Sequence, residues 1–339
     1  MRSRRPPLRS RARQTGAAIL LALLIMTLVA TLAAGMVWVQ WRGIEVESAE
    51  RARGQGEWLL NAALDWGNLI LKSSIRGGQK EDDLGQPWAT PLAETKLSSF
   101  LSADGSHSEE GGPEAFLSGQ ITDAQSKYNL YNLVNDGSGK PNEIVRLQIL
   151  CTAIGVSPDV ANTIASGMRS SWTAQQSAKT GGDQRDATNA VLMPIEVENL
   201  TWFGVDPAVV KQLQPFVQLL PASAVTEINA NTAPAEVLMA ALPGISRAQA
   251  QQIILRRQAS PIASLSDVWA ALNVSNAKEW PNPDPGPKNN VGFKSFYFEI
   301  YGQLRYEQHV IRERSIVYRK DQFVPVQVLR RERLAPDAT

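Results

Sequence analysis

Between Ala17 and Val39 the chain carries 23 consecutive residues without a charge, AAILLALLIMTLVATLAAGMVWV, interrupted in polarity only by Thr27 and Thr31. Such a run is long enough to cross a hydrocarbon layer as a helix, the form in which a single segment satisfies its own backbone N–H and C=O groups. Charged residues follow, yet a helical rhythm continues: Ala52, Gly56, Leu59, Leu60, Ala63, Trp66 and Ile70 recur at three- and four-residue steps. No proline lies between Pro7 and Pro87. The pattern predicts one helix from Ala17 to about Ser74, about 87 Å long at about 1.5 Å per residue, with Gly77-Gly78 ending it.

Beyond that helix the periodicity changes three times. Residues 75–120 are rich in Gly, Ser, Asp and Pro and read as loops around one short helix, Ala93 to Leu101. Leu117 to Val134 alternates, with Ile121, Tyr128, Leu130 and Leu133 as strand formers, and predicts a hairpin closed by the turn residues Asn135 to Gly139. From Asn142 to about Val274 the spacing is helical again and repeats itself. Laying Gly155 on Gly244 brings Val156 onto Ile245, Ser157 onto Ser246, Ala161 onto Ala250 and Ile164 onto Ile253, and Phe203 to Pro207 begins a third copy. Each copy reads as helix, tight Gly turn, Ser or Asp cap, helix. After the stiff Pro-rich stretch Asn282 to Pro287, the segments Lys294–Leu304, Val310–Arg319 and Val324–Arg331 alternate as strands, with Phe296, Phe298 and Ile300 on one face.

Charge adds an orientation. The 339 residues hold 34 Lys+Arg and 33 Asp+Glu, but six of the arginines lie in Met1 to Gly16, which has no acid. Taking those six from 34 leaves 28 bases against 33 acids, a net of −5 for the rest. Arginine on the N-terminal side of an apolar helix places that side in the cytoplasm and the remainder outside, with Trp38 and Trp41 at the outer interface. A cleaved secretory signal with a cut near Ala33, a twin-arginine signal around Arg4-Arg5 and a plain signal anchor are the other readings of this start.

Candidate chemistry is sparse. Cys151 stands alone, which excludes an intramolecular disulfide and a Cys-based zinc cluster, and His107 and His309 are the only histidines. There is no G-x-S-x-G, no H-E-x-x-H, no dinucleotide Gly fingerprint after a strand and no phosphate loop, so no enzyme and no cofactor are expected. The clusters Glu81-Asp82-Asp83 and Glu109-Glu110 lack the alternating spacing of a calcium loop and read as solvated surface. The Leu242 to Ile253 hairpin resembles a helix-hairpin-helix element, but Ser246 stands where DNA-binding versions usually have a second Gly. Arg247, Arg256 and Arg257 are balanced by Glu227, Glu236 and Asp267, so nucleic acid is not the expected partner.

The junction at Gly16 carries a family resemblance. A basic leader ends in Gly16 and the apolar helix begins at Ala17, which resembles the start of type IV pilin-like proteins. The resemblance implies cleavage after Gly16 by a prepilin peptidase and methylation of Ala17. Most such subunits carry Glu at the fifth mature position, which here is Leu21. A carboxylate there needs a neighbour's ammonium in apolar surroundings, and Leu21 cannot form that pair. One family is known for this lack, the K-type minor pseudopilins of type II secretion systems, and the chain is similar to them further on: MPIEVENLTWFGV (Met193 to Val205), TEINANTAPAEVLMAALPGIS (Thr226 to Ser246), and Ile121-Thr122-Asp123 with Asn129 and Asn132. Met168 to Trp172 departs from the family by keeping the Trp without its acids. Physically, Asn231 or Thr232 is expected to cap a helix whose first turn holds Pro234 and Glu236.

The fold implied is α+β: a pilin-like fold, with the long N-terminal helix packed on a small antiparallel sheet, and a large inserted all-α domain of helical hairpins. The expected divisions are a leader, 1–16; the transmembrane half of the helix, 17–40; pilin-like parts, 41–135 and 291–339; and the insert, 136–290. The implied function is a minor pseudopilin at the tip of a periplasmic pseudopilus, supporting export of folded proteins from a single-pass inner-membrane position. Its implied partners are I-, J- and H-type pseudopilins, the major pseudopilin, prepilin peptidase and the inner-membrane platform. The competing expectation is a membrane-anchored periplasmic module whose hairpins bind a peptide, a glycan or DNA.

Overall fold

The structure is a computed structural model and describes residues 15–76, 80–96, 115–134, 141–179, 191–220, 225–274, 290–306, 309–321 and 323–335. The backbone divides into two compact units, residues 1–58 and 59–339. The first consists of the larger share of helix α1, Thr15–Arg76. Its large apolar side chains from Ile19 to Val39 are all more than half exposed. Thr27 and Thr31 donate their hydroxyls to the carbonyls of Leu24 and Leu28, both at 2.9 Å, so neither leaves a polar group unsatisfied on an apolar rod.

In the second unit a five-stranded antiparallel sheet runs in the order β1-β2-β7-β8-β9. The strands are β1 Leu92–Lys96, β2 Ala115–Asp123, β7 Tyr297–Tyr306, β8 His309–Tyr318 and β9 Gln327–Leu334. Between β2 and β7 come the two-residue strands β3 Tyr128–Asn129, β4 Val217–Gln218, β5 Ile228–Asn229 and β6 Val291–Gly292. They form two small parallel pairs, β3 with β4 and β5 with β6. Pairing Leu117 with Leu304, Ile121 with Ile300 and Asp123 with Phe298 puts those residues on one face. There Leu64 and Leu71 of α1 join Trp88, Phe298, Ile300 and Val317 in a buried cluster, each side chain stabilising by about 1.5–3 kcal/mol through burial.

The helical block holds α2 Pro141–Ala153, α3 Asp159–Lys179, α4 Pro207–Leu213, α5 Ala235–Ala241, α6 Arg247–Ala259 and α7 Leu265–Ala271. The three internal copies are present. Gly155, Gly204 and Gly244 take φ of +79°, +83° and +98° at their turns, a region that costs other residues a Cβ clash. Asp206 accepts from the Ala208 N–H and Ser246 from the Gln249 N–H at the helix starts behind two of them. The third copy departs in one respect, because its first arm, Val197–Phe203, winds as a 3-10 helix.

Two expectations are corrected. The short helix expected over Ala93 to Leu101 is strand β1 as far as Lys96, where backbone pairing with β2 overrides a local helical spacing. The hairpin expected over Leu117 to Val134 ends as a strand at Asp123. The side chains of Asp123 and Asn129 accept from the N–H groups of Gln125 and Tyr131 two residues on, which turns the chain into 3-10 segments Ala124–Ser126 and Leu130–Leu133. The closing turn at Asn135–Gly139, the helix-ending Gly77-Gly78, Glu109-Glu110 and the Asn282–Pro287 stretch lie outside the described residues.

Candidate assembly site and the joint behind it

Gly16, Ala17 and Leu21 all fall in the opening turns of α1. Leu21 is 58% exposed, so the fifth position behind Gly16 presents an aliphatic side chain outward instead of a carboxylate. The apolar stretch ends at a polar collar, where the Arg42 guanidinium stacks 5.1 Å over the Trp38 ring and Arg51 pairs with Glu47 one turn back. By length and composition this helix suffices to cross a membrane.

The second unit has its own organising feature, a buried polar cluster where sheet, helical block and the end of α1 meet. Arg319, just past β8, is 1% exposed. It donates to both oxygens of Asp82 at 2.7 and 2.6 Å, to the Ser295 carbonyl at 2.9 Å, and to the Leu71 carbonyl and Ser74 hydroxyl of α1 at 3.1 and 2.8 Å. Its guanidinium also lies 4.4 Å from the Phe298 ring centre. Asp123, at the end of β2, takes hydrogen bonds from Gln125 N–H at 2.8 Å, Asn229 Nδ2 at 3.0 Å, Thr232 Oγ1 at 2.5 Å and Ser295 Oγ at 2.6 Å. Burial raises its pKa to about 6 against the pull of those donors.

The INANT run is the helical block's contribution to this cluster. Asn229 donates to the Asp82 carbonyl at 2.9 Å, and Asn231 exchanges bonds with the backbone of Ile262 at 2.9 and 2.8 Å. Neither Asn231 nor Thr232 caps the following helix, as the spacing had suggested. The cap position of α5 is Pro234, and Thr232 spends its hydroxyl on Asp123 instead. Asn129 and Asn132 do the same work one layer away, bonding Leu220 and Thr226 of the block in both directions. Asp82, expected on the solvated surface, is instead buried and ion-paired because its partner arrives from 237 residues away in sequence.

Among the described residues, no group of three His, Cys, Asp or Glu converges as a metal ion requires. Cys151 is buried, its thiol pushed up to about 11 by desolvation. An apolar groove of about 250 Å³ lies between α1 and the sheet, lined among others by Ala63, Trp66, Trp88 and Ile300. Its one carboxylate, Glu313, is paired with Arg331.

Comparison with known proteins gives this arrangement a family. Residues 126–222 and 228–286 match the family described as type II secretion system (T2SS), protein K. The type II secretion system protein K of Pectobacterium carotovorum is 25% identical over 95% of this chain and 97% of its own length. That of Pseudomonas aeruginosa is 26% identical over 78% of this chain and 79% of its own. Among solved structures, the GspK-GspI-GspJ complex from enterotoxigenic Escherichia coli contains a chain of the same fold, with TM-score 0.61 at 17% identity over 85% of this chain and 99% of that one. None of these relatives is described as a peptide-, glycan- or DNA-binding module. Together these matches support a minor pseudopilin of the type II secretion system, of the protein K type.

Proposed function

We propose that prepilin peptidase cuts this protein after Gly16, that Ala17 is then methylated, and that α1 anchors it in the inner membrane with the N-terminus cytoplasmic and residues beyond about 40 periplasmic. There it assembles with I-, J- and H-type minor pseudopilins at the tip of a pseudopilus, in contact with the major pseudopilin and the inner-membrane platform, to support export of folded proteins. The work is mechanical: the chain supplies a rod, a body and surfaces, and no chemical step.

The observation that carries this reading is the exposed rod whose fifth residue behind Gly16 is Leu21. A subunit inside a filament shaft pairs a carboxylate with a neighbour's amine, since a lone charge in apolar surroundings is costly; one at the end has no such pair to make. Partnership with I- and J-type subunits is supported by the solved complex of the similar protein with GspI and GspJ. The test has two arms. Mass analysis of the mature protein is expected to show a chain starting at methylated Ala17, and co-purification of the full chain with I- and J-type pseudopilins is expected to give a stable complex. An intact Met1, or a cut near Ala33, overturns the processing; failure of both partners to co-purify overturns the assembly.

A further inference from the structure

We infer that β9 is a strap that sets the angle between the helical block and the 59–76 segment of α1, and that the buried joint is the hinge it immobilises. Arg330 and Arg331 are neighbours on β9, so their side chains leave opposite faces of the sheet. Arg330 donates to the Ile195 carbonyl of the block. Arg331 donates to Asn61 Oδ1 of α1 and pairs with Glu313 of β8. The ladder agrees with this division. Arg330 lies opposite Ile316, which is buried with Leu220 of the block, and Arg331 lies opposite Ser315, which lines the groove beside α1. Two adjacent residues thus tie layers on the two sides of the sheet.

The buried joint is a second attachment, at a different place. There Arg319 binds the Leu71 carbonyl and the Ser74 hydroxyl at 3.1 and 2.8 Å, and Asp123 gathers Asn229 and Thr232 of the block at 3.0 and 2.5 Å. Asn61 precedes Leu71 by ten residues, about 15 Å of helix at about 1.5 Å per residue. A body held at one point can pivot about it, whereas holds about 15 Å apart resist that tilt. Beside Arg330 the seam between block and sheet is a cleft of about 40 Å³, lined by Glu196, Gln218, Glu299 and Arg314 among others. A seam lined by such groups gains less from apolar burial than from discrete ties.

The strap is also built to let go before the joint does. As an edge strand, β9 has only one neighbour in the sheet, and its ladder with β8 shifts register between Ile316 and Val317. Val328 and Leu329 remain exposed, so polar contacts such as Glu332 with Arg314 at 2.7 Å carry much of its hold. An edge held in this way opens more readily than a buried cluster, and its opening frees the block and α1 together.

Spin labels on the full-length protein in detergent read the angle directly, one on Leu69→Cys of α1 and one on Gln251→Cys of α6, both exposed positions. Cys151 is buried and stays unlabelled. By double electron–electron resonance the doubly labelled parent is expected to give one narrow distance distribution. Adding Arg330→Ala together with Arg331→Ala is expected to broaden it by several ångströms. Asn61→Ala alone is expected to broaden it in part; it lies at an exposed helical position where Ala is favourable, so it keeps the test decisive should the double variant fail to fold. Arg305→Ala, which breaks the surface pair with Glu94 away from β9, is expected to leave the distribution narrow. Narrow distributions in the strap variants, or equal broadening in Arg305→Ala, overturn the strap.

Discussion

Arg319 and Asp82 show how much a single buried pair can decide. Both lose their water, and their attraction is helped to repay that by Ser295, Leu71 and Ser74, which accept from the two terminal guanidinium nitrogens, while Nε is left without a partner. Arg319→Met leaves Asp82 buried without a counter-charge and is expected to destabilise the 59–339 unit by about 3–5 kcal/mol, read as a shift in the urea midpoint. Asp123 gives a pH prediction. Its pKa is raised to about 6 by burial, above the usual carboxylate value of about 3.9. The native state therefore holds this proton more tightly than the unfolded chain. The contribution is fully present below about pH 4 and is lost as pH rises through about 6, for a total of about 3 kcal/mol. Asp123→Asn is expected to flatten the fall in unfolding free energy between pH 4 and 6.5, measured by denaturant titration. A slope unchanged from wild type would contradict the assignment.

At the scale of elements, local spacing was a good guide wherever one element keeps its own hydrogen bonds. α1, the helical hairpins and their Gly turns follow from periodicity and capping. Gly204 has open space around its missing Cβ, so Gly204→Ala isolates the backbone term and is expected to cost about 1–2 kcal/mol. Gly167 of α3 differs, because a Cβ there would meet the Phe203 ring; its small size serves packing, which spacing does not reveal. Strands were legible where they alternate and have long partners, as in β7 and β8, and illegible where pairing alone makes them, as in β1 and the two-residue β4 to β6. The first unit yields a prediction of its own. Leu28→Arg, at the middle of the apolar run, is expected to raise the cost of membrane insertion by about 2.5–3.5 kcal/mol and to shift the protein out of the membrane fraction.

For the whole molecule, the two units separate two tasks that one substitution can distinguish. Gly16→Trp is expected to abolish maturation, seen as an unprocessed mass, while leaving the thermal unfolding of the 59–339 unit unchanged. Loss of both would mean that the junction also supports the fold. The proposed site was readable in the same divided way. Gly16, Ala17 and Leu21 lie close together in sequence: hydropathy and charge locate the junction, and the resemblance to pilin-like proteins singles out these residues. The joint of Asp82, Asp123, Asn229, Thr232, Ser295 and Arg319 is assembled from five separated segments. Asp82 had been read as solvated surface, Asp123 as part of a strand pair, and the INANT run as a source of a helix cap, so none of them had been connected to the others.

The amino-acid order by itself determined what depends on near neighbours: an apolar rod behind a basic leader, helices with their caps and glycine turns, and alternating strands. Tertiary structure alone decided which acids are solvated and which are buried, because a carboxylate's fate depends on the donors that reach it. For Asp82 that donor lies 237 positions along the chain, a distance over which no periodicity carries information.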